Sequence, residues 1–527
     1  MQVTPLICAF ALLSAVLTSC TAIRTVPRVA VNEGALIGTT ADGVYSFKGV
    51  PYAAPPVGDL RWRSPQPPVE WAGDRDAGSY APHCAQPDTN TMNFNQYPMS
   101  EDCLTVNVWT PDIDSDAALP VMVWIHGGGF SVGSGNVPRT NSAAMAAQGV
   151  VLVTINYRLS VFGFIAHPAL TAAHPDEVAT NFGVQDAVAA LRWVKENVAA
   201  FGGDPGNITV FGESAGANMV NTLLVVPAAE GLFNRAIAQS ASTGLAPDAY
   251  PDKRAGFLPP AYKAGEKFAE SLGVSSQGKS GRGNAEAIVK QLRALSTEEI
   301  LAVITDQERF TPVIDGTVLP DHVGILFREG KHHRVDYLFG SNSWEASLGR
   351  QIGGGFSPEF SARLLTAEQK QNFYPGLQGA QLEDAIFGDL IVHSGNDYVG
   401  RHMAAAEVPV FRYYFSYQAS DRRDRQPGVA HADDIAFVMQ TLDTEGDITA
   451  INQRDREVSE LMSRYWVEFA RSGDPNFPGA PSWGRFSGNA PRVLEIGDEV
   501  GMRDSLFADR LQLHVQRGQD MLDRASR

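Results

Sequence analysis

The stretch Ile208-Thr-Val-Phe-Gly-Glu-Ser-Ala-Gly-Ala217 decides the fold, because a β-branched and aromatic run breaks at Gly212 and continues into helix-forming residues. Within it, Gly212-Glu213-Ser214-Ala215-Gly216 has the G-x-S-x-G pattern of a serine on a tight strand-to-helix turn. Side chains two residues before and after such a serine would collide, and the two glycines remove that clash. The turn also places a helix start beneath Ser214, where the Ala215 N–H can meet an oxyanion. We therefore predict a nucleophilic serine at this turn.

The segments around this turn predict a parallel sheet with helices on its faces. Residues 120–125 and 150–155 are near-continuous apolar runs, which is typical of central strands covered on both sides. Residues 184–198 carry apolar side chains at helical spacing. Strand, glycine-rich loop, strand, helix, strand, turn and helix follow in the order that builds an α/β fold. Further predictions are a hairpin within 34–47, a half-buried strand over 105–109, strands at 335–340 and 408–415, polar helices over 261–299 with a surface loop at 275–283, and a long helix over 452–472.

Length and composition indicate a soluble globular chain. Of its 527 residues, 44% are hydrophobic and 19% are charged, which excludes the disordered and fibrous classes. The sequence shows no repeats and no dividing linker, so residues 29–527 are predicted to form a single domain. The net charge of −17 disfavours nucleic acids and anionic membrane surfaces as partners.

The N-terminus has the features of a targeting segment. Residues 6–17 are almost wholly apolar, too few to span a bilayer, and small residues follow them. We predict a signal peptide over residues 1–19, a short linker over 20–28, and export to the periplasm or the cell exterior. Leu17-Thr-Ser-Cys20 resembles the lipobox of bacterial lipoproteins, in which the cysteine is lipidated and anchors the chain. Cleavage just beyond Cys20, releasing a soluble protein, is the alternative that the sequence leaves open.

The four cysteines reduce to one candidate pair after export. Cys8 leaves with the signal peptide and Cys20 is lipidated or removed, so Cys84 and Cys103 remain. An even pair in an oxidising compartment predicts a disulfide. Two free buried thiols are the alternative.

The base is chosen by chain order, because in strand–turn–helix hydrolases the acid and then the histidine follow the serine. Four histidines come late enough: His393, His402, His431 and His514. The first two lie in segments with helical patterns, and the last lies in an amphipathic C-terminal tail. Only His431 lies in a loop after a predicted strand, within Gly428-Val-Ala-His-Ala-Asp433, and it is the predicted base.

The acid has two candidates. The loop after the strand at 335–340 contains Glu345 as its only carboxylate, within Gly340-Ser-Asn-Ser-Trp-Glu-Ala346. The rival is Asp315, which precedes Gly316 and is more easily explained as a turn residue. The residues alone leave both open.

Donors for an oxyanion are predicted in Trp124-Ile-His-Gly-Gly-Gly-Phe130, a loop after an early central strand. Consecutive glycines let backbone N–H groups approach a reacting carbonyl without interference from Cβ atoms. Gly353-Gly-Gly-Phe356 repeats the letters without a strong strand before it, which indicates a surface loop. The pattern G-x-G-x-x-G fails at Val132, so no dinucleotide site is expected.

Metal catalysis finds little support in the sequence. It contains no H-E-x-x-H and no C-x-x-C, and His332-His333 lies between Lys331 and Arg334, which predicts an exposed pair. We therefore expect neither a metal nor a cofactor. The glycosylation pattern Asn207-Ile-Thr209 lies next to a buried strand and is interpreted as chance.

Together these motifs resemble the type-B carboxylesterases, the family of the cholinesterases and the bacterial para-nitrobenzyl esterases. The resemblance extends over most of the chain and is carried by Phe47-Lys-Gly-Val-Pro-Tyr-Ala-Ala-Pro-Pro-Val-Gly-Asp-Leu-Arg61, Ser100-Glu-Asp-Cys-Leu104, the glycine loop, Asn156-Tyr-Arg158, Phe201-Gly-Gly-Asp-Pro205, Phe211 to Ala217, and Trp466 to Asn476.

The resemblance implies an α/β-hydrolase fold, with insertions forming a substrate gorge, and a triad of Ser214, Glu345 and His431. It favours glutamate as the acid and pairs Cys84 with Cys103. The same match implies an oxyanion hole formed by Gly128, Gly129 and Ala215. It also implies supporting groups at Glu213, Ser240 and Asp434.

Two departures from the family pattern stand out. Its usual Asp-Glu-Gly around the acid is Trp344-Glu345-Ala346 here. The segment between the paired cysteines contains Phe94 and Tyr97 but no tryptophan, so the cation-binding tryptophan of the cholinesterases is not evident. A choline ester is therefore not the expected substrate.

We therefore expect a serine hydrolase that cleaves small carboxylic esters through an acyl-enzyme. One alternative keeps this mechanism for a lactone, a carbamate or a bulky natural-product ester. Another is a non-catalytic adhesion or binding protein on the same scaffold, although such relatives lack the nucleophile that this chain keeps. A membrane is expected as a partner only through lipidated Cys20, and the oligomeric state is left open.

Overall fold

The computed structural model describes residues 26–525 except 88–96, 246–247, 255–257, 276–280, 306–309, 353–356, 445–449 and 490. Several predictions fall outside these residues: the signal peptide, Cys20, most of the linker, Phe94, the middle of the 275–283 loop and the second glycine run. The strands are β1 Arg28–Val31, β2 Gly34–Ile37, β3 Thr39–Ala41, β4 Val44–Pro51, β5 Asp74–Asp76, β6 His83–Cys84, β7 Met99–Ser100, β8 Thr105–Thr110, β9 Leu119–Ile125, β10 Val151–Ile155, β11 Gly203–Glu213, β12 Arg235–Gln239, β13 Asp336–Asn342, β14 Val410–Phe415, β15 Arg492–Ile496 and β16 Val500–Asp504.

The α-helices alternate with the later strands, as predicted, and the long helix begins one residue after its Asn452 cap. They are α1 Ala143–Ala146, α2 Ser160–Phe164, α3 Pro168–Ala173, α4 Phe182–Asn197, α5 Ala215–Leu223, α6 Ala261–Ser271, α7 Arg282–Arg293, α8 Thr297–Leu301, α9 Val323–Arg328, α10 Ala346–Ile352, α11 Pro358–Ala362, α12 Ala367–Phe373, α13 Gly379–Gly388, α14 Ser394–Ala405, α15 Asp434–Val438, α16 Gln453–Ser472 and α17 Ala508–Ala525. A π-helical turn, Asp389–His393, joins α13 to α14.

An eleven-stranded sheet organises these elements, in the order β16-β15-β14-β13-β12-β11-β9-β10-β8-β4-β3. The strands from β15 to β10 are parallel, and antiparallel strands close both edges. In β9, Val121, Val123 and Ile125 enter one hydrophobic core, whereas Met122 and Trp124 enter the core on the opposite face. The continuous apolar runs predicted this two-sided burial correctly.

Two predictions about the antiparallel edge were wrong. The strand at 105–109 is buried along its whole length instead of on one face. Residues 34–47 form parts of two hairpins instead of one, because β2 pairs with β1 in a separate small sheet, while β3 pairs with β4 in the large one. Gly38 separates β2 from β3 at the point where the chain changes sheets.

The predicted disulfide is present between Cys84 and Cys103, whose Cα atoms lie 5.0 Å apart. Cys84 ends β6, which pairs with β7 in a two-stranded sheet. Within the described residues, no helix has the length and apolarity needed to cross a membrane. The single domain over residues 29–527 stays a prediction.

Candidate active site

Ser214 occupies the turn between β11 and α5, as predicted. Its backbone has φ +56° and ψ −121°, a conformation that non-glycine residues rarely adopt. A Cβ at Gly212 would lie 2.6 Å from the Ile125 carbonyl oxygen, and a Cβ at Gly216 would lie 2.0 Å from it. The two glycines are therefore required because the turn packs directly on the end of β9.

The glycine loop follows β9 and packs against the same turn. A Cβ at Gly127 would lie 3.2 Å from the Ser214 Cβ and 2.8 Å from the Glu213 carbonyl oxygen. Gly128 has φ +106°, and a Cβ there would lie 2.0 Å from the Val132 oxygen. Gly129 has φ +64° and open space around it. The loop thus needs glycine for close approach at two positions and for backbone conformation at the third.

The acid and base candidates are joined by a short buried hydrogen bond. His431 Nδ1 lies 2.6 Å from Glu345 Oε2, and both side chains are buried. Glu345 follows β13 and His431 follows β14, so both lie at the carboxyl edge of the sheet that also carries Ser214. Burial alone raises the pKa of Glu345, but His431 and the hydrogen bonds to the carboxylate outweigh it, so the pKa of Glu345 is lowered.

The loops that carry the acid and the base are fastened to each other. The Trp344 N–H donates to the Val429 carbonyl at 2.8 Å, and the Val429 N–H donates to Ser343 Oγ at 2.9 Å. The His431 N–H donates to Ser347 Oγ at 2.8 Å. Because several bonds join the two loops, the relative positions of Glu345 and His431 are set by backbone as well as by their own contact.

The second ring nitrogen of His431 faces Glu213, the residue before Ser214. His431 Nε2 lies 3.2 Å from Glu213 Oε1, and neither atom has a hydrogen-bond partner within the described part of the chain. Burial raises the pKa of Glu213 to about 8. Burial lowers the pKa of His431, but Glu213 and Glu345 more than reverse this and raise it to about 9. The structure thus brings the base to the turn, without a hydrogen bond from Nε2 to Ser214.

Ser240 and Asp434 connect the strand ends beneath this centre. Ser240 Oγ donates to Glu345 Oε1 at 2.7 Å, and the Asn342 N–H donates to the same oxygen at 2.7 Å. Asp434 is fully buried and accepts from Gln239 Nε2 at 2.7 Å and from Asn342 Nδ2 at 3.1 Å. Each carboxylate is therefore held by donors from neighbouring strands.

The rival candidates lie in other elements, although His393 is close enough to Glu345 to interact with its charge. Asp315 Oδ1 accepts the N–H groups of Thr317 and Val318, as a turn aspartate does. His393 lies in the π-helical turn and contacts Ser341 Oγ at 2.6 Å, and His402 lies in α14. His514 lies in α17, and its Nε2 is 2.7 Å from the Tyr374 hydroxyl.

The prediction of an exposed histidine pair was wrong. His332 is buried, 8% exposed, and packs on Phe327, while half-buried His333 places Nε2 2.9 Å from the Val226 carbonyl oxygen. Lys331 and Arg334 on either side suggested a polar surface, but the two histidines between them are less exposed than these neighbours. No cluster of three metal-ligating side chains occurs among the described residues.

Sequence reasoning missed two groups that brace the acid and base. Asn342 and Ser347 flank Glu345 by a few residues, yet nothing in their local pattern separates them from solvated polar residues. Their partners lie about 90 positions later in the chain. Only the folded arrangement reveals them.

Comparison with known proteins places this centre in a family. The sequence matches the Carboxylesterase family over residues 25–374 and 380–514. The chain belongs to the carboxylesterase family. It is 34% identical over 496 residues to fumonisin B1 esterase of Sphingopyxis macrogoltabida, covering 90% of this chain and 87% of that one. It is 33% identical over 517 residues to para-nitrobenzyl esterase of Bacillus subtilis, covering 92% and 97%.

The solved structures agree with this carboxylesterase assignment. A carboxylesterase of Geobacillus stearothermophilus superimposes with a TM-score of 0.78 at 31% identity, covering 92% of this chain and 99% of that one. The α/β-hydrolase fold and the family resemblance inferred from the motifs are confirmed. This carboxylesterase is a carboxylic ester hydrolase that acts on small-molecule esters.

Proposed function

We propose that Ser214 is the nucleophile, His431 the general base and Glu345 the acid that orients it. The observation that carries this assignment is the buried 2.6 Å contact between Glu345 and His431 at the sheet edge where the Ser214 turn lies. A carboxylate on Nδ1 leaves Nε2 as the ring atom that can accept a proton. Glu213, which contacts Nε2, immediately precedes Ser214, and this supports His431 as the base for that serine.

The proposed reaction proceeds through an acyl-enzyme. The Ser214 oxygen attacks the ester carbonyl carbon as its proton passes to His431 Nε2. The resulting oxyanion is stabilised by the backbone N–H groups of Gly128, Gly129 and Ala215, and by the N-terminus of α5. Collapse breaks the bond to the alcohol oxygen, which takes the proton from His431. Water, deprotonated by His431, then attacks the acyl carbon, the bond from this carbon to the Ser214 oxygen breaks, and that oxygen takes the proton back from His431 as the carboxylic acid leaves.

The charge state of the base follows from its two carboxylate neighbours. His431 must be neutral to accept a proton, and Glu345 and Glu213 both favour its protonated form. Glu213 and His431 titrate as a coupled pair because they are in contact. We therefore expect kcat/KM to rise with pH as His431 loses its proton.

Labelling with a fluorophosphonate tests the assignment. Wild-type protein is expected to gain one phosphonyl adduct at Ser214 and to lose ester cleavage, with the site found by peptide mass spectrometry. Ser214→Ala should lower kcat by at least about 10⁴-fold. Ser472→Ala, an exposed serine at the end of α16, is the matched control and should behave as wild type. An unlabelled but active wild-type protein would refute the assignment.

A specialised substrate is the second candidate, with the mechanism unchanged. The relative from Sphingopyxis macrogoltabida is named as an esterase of fumonisin B1, which supports one particular ester as the substrate of this chain. A panel of p-nitrophenyl acyl esters and bulky polyol esters, compared by kcat/KM, distinguishes a general esterase from a specialised one. Absence of turnover on every ester in the panel would instead favour a binding protein on this scaffold.

We further propose export, with the signal peptide over residues 1–19 and Cys20 either lipidated or removed. Support comes from the apolar run at 6–17 and from the Cys84–Cys103 disulfide, a bond typical of oxidising compartments. The net charge of −17 disfavours nucleic acid as a partner. Mass spectrometry of the mature N-terminus distinguishes a diacylated Cys20 from a soluble form.

A further inference from the structure

Gln86 is a buried glutamine that joins the disulfide segment to the glycine loop. It is 2% exposed and follows disulfide-bonded Cys84 by two residues. Its Oε1 accepts from the Gly133 N–H at 2.8 Å, and its Nε2 donates to the Gly133 carbonyl at 3.0 Å. The same Nε2 donates to the Cys84 carbonyl at 3.0 Å. Among the described residues the amide bonds to backbone groups only, and it bonds both the N–H and the carbonyl of Gly133.

The chemistry of these contacts specifies an amide at position 86. One side of the group faces an N–H and the other faces two carbonyl oxygens, so only an acceptor beside a two-proton donor satisfies all three. A carboxylate would place a negative oxygen against the Cys84 and Gly133 carbonyls. An apolar side chain of the same length would leave three buried backbone groups without that partner.

Gly133 lies directly on the first residues of the glycine loop. It has φ +120°, and a Cβ there would lie 2.4 Å from both the Gly127 carbonyl oxygen and His126 Nδ1. Gly127 in turn packs on Ser214, because a Cβ added at Gly127 would lie 3.2 Å from the Ser214 Cβ. A continuous series of close contacts thus runs from Gln86 through Gly133 and Gly127 to the nucleophile.

The loop between these contacts has a backbone conformation that depends on glycine and on outside support at Phe130. Gly128, Gly129 and Phe130 all have positive φ, at +106°, +64° and +60°, before Gly133 at +120°. Glycine adopts positive φ at little cost, whereas Phe130 keeps this conformation only because its surroundings hold it. Phe130 is fixed by its carbonyl, which accepts the Ser160 N–H at 2.7 Å, and Gly133 is fixed by Gln86. The Val132 N–H, next to Gly133, donates to the Gly128 carbonyl at 3.1 Å, and this bond connects the anchored residues to Gly128 and Gly129.

We propose that Gln86 is a positioning residue for the oxyanion hole. Its two hydrogen bonds to Gly133 hold the Gly128 and Gly129 N–H groups at the position where the carbonyl oxygen of the ester becomes negative. This role rests on the function proposed above for Ser214 and the glycine loop. Because the oxyanion forms only in the transition state, loosening the loop lowers kcat and leaves KM nearly unchanged.

The test compares Gln86→Met, which removes all three hydrogen bonds, with Gln86→Glu, which keeps only the acceptor for the Gly133 N–H. Gln185→Met is the matched control, because Gln185 Nε2 donates to the Val178 and Thr180 carbonyls away from the glycine loop. For each variant, kcat and KM are measured on a p-nitrophenyl ester. The affinity for an alkyl boronic acid, whose serine adduct places an oxygen in the oxyanion hole, is measured in parallel.

Both Gln86 variants are expected to lose roughly 10- to 100-fold in kcat, with KM within about threefold and boronate affinity falling with kcat. Gln185→Met should match wild type in all three. Wild-type kcat and boronate affinity in either folded Gln86 variant would overturn the inference, as would a rise in KM alone. Failure of both variants to fold, seen by circular dichroism, would also overturn it, by making Gln86 a general folding residue. If wild type is unlabelled at Ser214, or Ser214→Ala stays active, the proposed function fails instead.

Discussion

Glu213 is the residue that most shapes the proton chemistry of the site. Its backbone ends β11, directly before Ser214, and its carboxyl oxygen Oε1 lies 3.2 Å from His431 Nε2. A buried carboxyl resists ionisation, yet a protonated histidine beside it favours ionisation. Glu213 therefore favours the protonated form of His431, and this proton must leave the histidine before it can act as a base.

Replacing Glu213 by glutamine should make the esterase active at lower pH. The glutamine removes a negative neighbour, so the pKa of His431 falls from about 9 toward its ordinary value of 6.5. The acidic limb of the kcat/KM profile, measured from pH 5 to 10, should shift downward. Glu230→Gln, a substitution of an exposed glutamate, should leave the limb in place. An unmoved limb in Glu213→Gln would show that the carboxyl does not set the charge of the base.

At the scale of elements, the turn between β11 and α5 explains why the sequence motif requires glycine. A methyl group at position 216 would lie 2.0 Å from the Ile125 carbonyl oxygen, which belongs to the rigid end of β9. The helix and the strand must then separate, and the separation moves Ser214 away from the glycine loop. Stability and activity depend on the same contact.

Gly216→Ala should therefore destabilise the fold by about 1–3 kcal/mol, as overpacking does, and should lower kcat as well. Gly283→Ala is the control, because Gly283 lies in α7 with nothing within 4 Å of a Cβ. That change should stabilise by up to about 1 kcal/mol through helix propensity. Urea denaturation of both variants measures the difference. A Gly216→Ala protein as stable and active as wild type would contradict the packing argument.

The elements predicted well are those whose character is local. Continuous apolar runs predict strands β9 and β10, and the flanking glycines predict the turn at Ser214. Strand β8 was misjudged because Asn107 suggests a solvent-facing side. Asn107 is instead fully buried, donating to Asn136 Oδ1 and Thr154 Oγ1 at 2.9 Å each and accepting the Gly49 N–H.

For the candidate site, too, the sequence predicts residues with local motifs but not polar residues whose role depends on burial. Ser214, Glu345 and His431 could be proposed from motif, chain order and family resemblance. The grip of Gln86 on Gly133 and the support of His431 by Ser347 depend on contacts across 47 and 84 positions. Polar side chains of this kind look alike in sequence whether they are solvated or satisfied inside the fold. Their role follows from burial, which a single sequence does not display.

At the scale of the whole molecule, burial of histidines links stability to pH. For six of them burial lowers the pKa from 6.5 to about 4, so as pH falls below 6.5 the unfolded chain binds protons before the folded one. Their stabilising contribution is complete above pH 6.5 and is lost between pH 6.5 and 4. His431, with its pKa raised to about 9, acts oppositely, and its contribution is lost as pH rises through 9. The six are His83, His126, His167, His332, His393 and His514.

His332 offers the sharpest test of this linkage, because neither ring nitrogen has a hydrogen-bond partner among the described residues. His332→Phe should stabilise the protein at pH 7 by removing buried unpaired polar atoms, and should stabilise it by about 1–2 kcal/mol more at pH 5. Urea denaturation at both pH values measures the two differences. His333→Phe is the matched control, and it should lose the bond to the Val226 carbonyl and gain no stability at either pH. Equal stabilisation by His332→Phe at pH 7 and pH 5 would show that His332 takes up its proton as readily in the folded chain as in the unfolded one.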